Sequence, residues 1–273
     1  DIKGITAKIN EGYFNELGIN AIWLTPPVEQ IHGGTDEGTG LSYGYHGYWA
    51  RDWTAIDPNF GSMEDLAELI ETAHAHDIRI VLDVVLNHTG PVTPEDSQWP
   101  DSWVRTGPPC TYLDAESTIS CTLVENLPDI LTNKEEEVDL PEFLVAKWRS
   151  EGRYDQEVKE LDEFFERTGY PRAPKYYLIK WLTDYVRDFG IDGFRVDTAK
   201  HVEDDVWGIL YQQVVQAFNE WKNNNQEAVL DDEDFYMVGE VYNYVIDHGR
   251  SFPIGPNQQV DFYDDGFTSL INF

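Results

Sequence analysis

A chain of 273 residues, 41% of them hydrophobic, can bury one large core, either as a single domain or as a barrel with an insertion. Its 51 acidic residues against 19 basic ones, a formal charge of −32, argue against nucleic acid and anionic membrane surfaces as partners, because phosphate groups would be repelled. No run of 18 apolar residues occurs, so no membrane span is expected, and the start Asp1-Ile2-Lys3-Gly4 has neither the basic nor the apolar region of a signal peptide.

In chain order, Ile5, Ile9, Phe14 and Leu17 suggest a helix that Gly18 stops. A strand follows over 21–26. Ser62 and Asp65 stand where a capping box places them, ahead of a helical stripe of Leu66, Leu69, Ile70 and Ala73. The run 78–86 reads as a strand that carries Asp83 among apolar residues and leads into Asn87-His88. Residues 89–175 break the strand–helix alternation. They are rich in Pro, Thr, Ser and Asp and read as an excursion between two strands. Cys110 and Cys121, in one loop of that excursion, suggest a local disulfide and an oxidising compartment, with two free thiols as the alternative. A helix over 176–189 ends at Gly190, followed by a strand over 191–197, a helix over 204–222, a strand over 235–241 and a last apolar piece over 267–273. The acidic runs Glu135-Glu136-Glu137 and Asp231-Asp232-Glu233-Asp234 read as solvated loops. His32, His46, His74, His76 and His248 read as loop or helix-surface residues.

Strand–helix alternation predicts an α/β fold with a parallel sheet and helices outside it. Three strands end in residues of catalytic type: Asn87 and His88, Arg195 and Asp197, and Glu240. Barrel enzymes keep their chemistry at such strand ends. Arg195 and Asp197 are two apart, so in a strand they project from the same face. A carboxylate beside a guanidinium stays ionised, as a nucleophile must. A purely structural ion pair is the alternative reading. No Cys/His metal-ligand spacing is present.

Five segments in order carry a resemblance to a known family. They are Gly44-Tyr45-His46-Gly47-Tyr48-Trp49, Asp83-Val84-Val85-Leu86-Asn87-His88, Leu127-Pro128-Asp129-Ile130, Gly193 to His201, and Gly239-Glu240-Val241. Together they resemble the α-amylase family of glycoside hydrolases, nearest to its bacterial periplasmic members. The resemblance implies a partial (β/α)8 TIM barrel, strands two to six, with an inserted domain B after the third strand. Residues 1–88 would form the first part of the barrel, 89–175 domain B, and 176–273 the second part.

The resemblance also implies roles. Asp197 would be the nucleophile of retaining hydrolysis and Glu240 the general acid/base, its apolar strand favouring a raised pKa. His88 and Tyr45 would meet the sugar at the cleavage subsite. Trp49 belongs to the same aromatic segment, with core packing as its other reading. Lys200 and His201 would meet the leaving-side sugar. Asp83 would position Arg195 or the substrate. The family commonly holds a structural Ca2+, for which Asn87 and Asp129 match side-chain ligands and His201 a backbone carbonyl ligand. Alternatively, Asn87 and Asp129 bond each other. The implied partner is an α-glucan oligo- or polysaccharide, and the implied location is secreted or periplasmic.

The sequence departs from the family at two places. No Asn-His-Asp occurs to supply the third carboxylate, and the first barrel strand has no counterpart. The expectation is a fragment of a longer enzyme, inactive alone. The competing functions are another enzyme of the family (a maltodextrin glucosidase, cyclodextrinase or transglycosylase) and a non-catalytic α-glucan-binding fragment.

Overall fold

The structure, a computed structural model, describes residues 1–36, 38, 40–242, 251–255 and 257–271. His248, Asn272 and Phe273 lie outside the described residues. The chain opens with helices α1 (Ile2–Asn10) and α2 (Tyr13–Glu16). The single helix expected here is broken because Gly12 adopts φ +78 between them. Strand β1 (Ala21–Leu24) follows, then an antiparallel pair of β2 (Val28–Gln30) and β3 (Ala50–Ile56). Helix α3 (Met63–His74) starts at the capping box expected at Ser62 and Asp65, with both reciprocal bonds formed.

Strand β4 (Arg79–Val84) comes next, then short strands β5 (Val104–Arg105) and β6 (Asp129–Ile130), which pair antiparallel. Helices α4 (Glu142–Ser150), α5 (Tyr154–Thr168) and α6 (Pro174–Phe189) lead to strand β7 (Gly193–Val196). Helix α7 (Asp204–Asn224), strand β8 (Tyr236–Gly239) and strand β9 (Ser269–Leu270) complete the barrel elements. The main sheet runs β1-β4-β7-β8-β9, and every pairing in it is parallel. This is the strand–helix arrangement that the alternation predicts. Among the described residues no helix is long and apolar enough to cross a membrane.

Aromatic packing joins the 142–168 helices to α6. Trp148, Trp181 and Trp103 are all buried, with Trp181 stacked on Trp103 at 6.0 Å and edge-on to Trp148 at 6.3 Å. Lys180 sits on the same helix at 1% exposure, tolerated because Glu160 and Asp184 lie 3.0 and 2.6 Å from its ammonium. His74 corrects the surface reading. It is buried, with Nε2 2.9 Å from Asp192, whose carboxylate also accepts the Ile80 N–H at 2.7 Å. A buried carboxylate between α3 and β4 needs such donors, and the histidine supplies one.

The acidic runs are largely exposed, as expected, although Asp231 pairs with Arg79 and Glu135 with Lys175. Cys110 and Cys121 form a disulfide.

Candidate active site at the strand ends

The register of the main sheet sets the site. Asp83 on β4 is paired with Arg195 on β7, and Arg195 with Val238 on β8. Val196 is paired with Gly239, so Asp197 and Glu240 each follow directly on one of two paired residues. Their backbones leave adjacent strands side by side, about 4.8 Å apart in the hydrogen-bonding direction.

Arg195 is the hub. It is 6% exposed and donates through Nη1 to Asp83 Oδ1 at 2.9 Å and to Asp197 Oδ1 at 2.8 Å. Its Nη2 lies 3.1 Å from Glu240 Oε2. Three carboxylates therefore share one guanidinium, which they hold firmly in its charged form. Asp83 is 1% exposed and also accepts from Tyr48 Oη at 2.7 Å and Trp23 Nε1 at 3.1 Å. Burial still pushes its carboxyl up to about 6, against the pull of Arg195. Burial and the Asp83 charge raise the Tyr48 phenol.

Glu240 accepts the Thr198 backbone N–H at 3.0 Å through the same oxygen that faces Arg195. Polar donors, rather than the apolar surroundings expected from its strand, therefore hold this carboxyl. Thr198 reaches it because its backbone is left-handed, φ +48, a conformation a β-branched residue seldom adopts. That turn swings the N–H across the end of β7.

His88 is buried and donates from Nε2 to the Tyr48 carbonyl at 3.1 Å, while its Nδ1 accepts from Asn87 at 3.3 Å. Burial lowers its pKa to about 4, so the ring is neutral near pH 7. Tyr45 is 77% exposed at the rim, edge-on to His46 at 5.2 Å. Trp49 is buried in a small cluster with Ile31 and Leu127 and edge-on to His46 at 4.7 Å. Lys200 donates to the Tyr242 carbonyl at 3.2 Å. His201 Nδ1 donates to the Thr118 carbonyl at 2.8 Å, which ties it to the disulfide loop.

Asn87 and Asp129 come together through the backbone: the Asn87 carbonyl accepts the Ile130 N–H at 2.8 Å, and His88 and Asp129 form an antiparallel bridge. Their side chains do not bond each other, as the alternative reading required. Asn87 Oδ1 and Asp129 Oδ2 are both buried with no hydrogen-bond partner. Burial pushes the Asp129 carboxyl up to about 8, opposed by Arg105, whose Nε is 2.8 Å from Oδ2. Orphaned, all-oxygen donors of this kind fit a hard cation. Among the described residues no group of three or more His, Cys, Asp or Glu side chains is arranged to hold a metal.

Sequence reading missed Trp23, Tyr48 and Thr198. Trp23 at a strand end and Tyr48 inside the aromatic segment were visible, but only the folded register shows that both serve Asp83. No local signal marked the Thr198 turn.

A five-stranded parallel sheet with polar side chains converging at its C-terminal strand ends is the arrangement found in TIM-barrel proteins. The sequence model described as alpha amylase, catalytic domain, matches residues 1–261, and the chain belongs to that family. It is similar to the periplasmic alpha-amylase of Escherichia coli (strain K12), at 34% identity over 100% of this chain and 44% of that protein. It is also similar to a cyclomaltodextrin glucanotransferase of Thermoanaerobacterium thermosulfurigenes, at 31% identity over 88% of this chain and 32% of that protein. Among solved structures, the alpha-amylase from Geobacillus thermoleovorans, complexed with acarbose, superposes with a TM-score of 0.65 at 25% identity, over 99% of this chain and 45% of that one. The chain thus spans less than half the length of these relatives.

Proposed function

We propose that this chain carries the nucleophile and acid/base of a retaining α-glucan hydrolase that cleaves internal α-1,4-glucosidic bonds in starch, glycogen or maltodextrins. The observation that carries the reading is the placement of Asp197 and Glu240 on one guanidinium at adjacent strand ends. Retaining hydrolysis needs two carboxyl groups about 5–5.5 Å apart. Two carboxylates bound to the two ends of one guanidinium are compatible with that range.

In this mechanism Arg195 aims Asp197 through its Nη1 hydrogen bond, and Asp197 attacks the anomeric carbon. Glu240 protonates the leaving oxygen and then takes a proton from the incoming water. Neutral His88 donates to sugar hydroxyls, which means giving up or sharing its bond to the Tyr48 carbonyl. Tyr45, already exposed, offers a face to the sugar ring, and the Trp49 packing holds that aromatic segment in place. Lys200 and His201 border the leaving side. Asn87, Asp129 and the His201 carbonyl would hold Ca2+, which when bound would supply a fixed charge cross-linking the strand ends to the 129–132 segment. Domain limits of 1–88, 89–175 and 176–273, and a secreted or periplasmic site, belong to the same reading. The disulfide and the periplasmic relative support the location.

The glucanotransferase relative favours transglycosylation as a second reading. In the whole protein, Asp197→Asn and Glu240→Gln should each abolish release of reducing ends from amylose while oligosaccharide binding persists. Wild-type turnover in either variant would refute the assignment. Linear maltooligosaccharide products support hydrolysis, and cyclic or elongated ones support transfer.

A further inference from the structure

A third oxygen accompanies Asn87 Oδ1 and Asp129 Oδ2. Glu203 Oε2 is also buried with no hydrogen-bond partner. Glu203 lies beside the Thr132 hydroxyl, on the same segment as Asp129, and is close enough to Asp129 for the two to repel each other. An unsatisfied buried polar group costs about 1–3 kcal/mol, so each of these oxygens points to a missing partner.

Among the described residues, Arg105 is the positive charge that acts on both carboxylates. It is held there because β5 and β6 pair Arg105 directly with Asp129. Its Nε lies 2.8 Å from Asp129 Oδ2 yet forms no aligned hydrogen bond, and its Nη2 turns away to Asn133. One guanidinium thus faces two carboxylates and satisfies neither geometrically. Two carboxylates and an amide oxygen suit a divalent, oxygen-seeking ion better in both charge and geometry.

We propose that Glu203 is a third side-chain ligand of the cation at Asn87 and Asp129, and that the Arg105 guanidinium competes with that cation for the same two carboxylates. The proposal rests on the reading of Asn87 and Asp129 as cation ligands. With the cation bound, Arg105 gives up its contact with Asp129 and keeps Asn133; without it, the guanidinium covers the carboxylates.

The test is calcium titration of the EDTA-stripped protein by calorimetry at pH 7, with thermal melts in calcium and in EDTA as a second readout. Glu203→Gln should weaken calcium binding about 10-fold or more. Arg105→Gln should tighten it ~5-fold or more. It should also melt earlier than wild type in EDTA but not in calcium, a crossover that misfolding cannot produce. Glu203→Asp, which keeps the charge, should retain part of the affinity. If the wild type binds no calcium, the cation reading and this proposal fall together. If it binds and Glu203→Gln binds equally well, the role of Glu203 is overturned while the Asn87–Asp129 site stands. Unchanged or weaker binding in Arg105→Gln overturns the competition.

Discussion

Replacing Arg195 with Gln removes the one cation shared by three carboxylates, which lie 2.9, 2.8 and 3.1 Å from it at Asp83, Asp197 and Glu240. Asp83 has no exposed side-chain surface and is left with only the Tyr48 hydroxyl and Trp23 N–H as donors. Deleting one partner of a buried pair costs about 3–5 kcal/mol. Protonation of Asp83 limits that loss. Its carboxyl is already raised to about 6 by burial, and without the guanidinium it rises further. A group whose folded pKa exceeds its unfolded value holds an extra proton in the folded state, so its contribution is present at low pH and lost as pH rises through the folded value. The variant should therefore be less destabilised at pH 5 than at pH 8, with the full ~3–5 kcal/mol deficit at the higher pH. Adding Asp83→Asn should recover about 1–3 kcal/mol at pH 8, because the uncompensated charge is gone. Urea unfolding followed by tryptophan fluorescence at the two pH values measures both. A deficit below about 1 kcal/mol at pH 8, or one that grows as pH falls, would refute the reasoning.

Three further outcomes follow from the same structure. Burial lowers His88 to about 4, below its ordinary value, so its contribution is present above pH 6.5 and lost as pH falls toward 4. That slope is worth about 3 kcal/mol and should flatten in His88→Gln, read from urea midpoints between pH 7 and 4.5. Gly190 has φ +76, and a Cβ there would come within 2.2 Å of the Trp221 ring, so Gly190→Ala should cost about 2–4 kcal/mol in the same assay. Replacing Cys110 and Cys121 by Ser opens a loop with a sequence separation of 11 and should cost about 3 kcal/mol. A wild-type melting temperature in that double variant would count against the loop closure contributing to stability.

The elements that were legible were those with strong local signals. The Ser62–Asp65 capping box, the Gly190 stop and the apolar runs at β4, β7 and β8 depend on neighbours in sequence, and all appear where they were read. Helices α4 and α5 and the β2–β3 pair were not read, because their contacts are distant in sequence: Trp148 on α4 packs edge-on to Trp181 and donates its ring N–H to Thr54 on β3. His74 looked like a surface residue for the same reason: the partner that buries it, Asp192, is 118 positions away.

The sequence by itself determined the alternation of the strands and helices of the main sheet and which strand ends carry Asn87-His88, Arg195–Asp197 and Glu240, because spacing and periodicity are local properties. Only the tertiary structure decided that Arg195 serves three carboxylates at once, that a left-handed Thr198 aims its N–H at Glu240, and that Arg105 meets Asp129. These depend on parallel register and on backbone turns between strands. Both are set by packing across the whole sheet and leave no mark in any one segment.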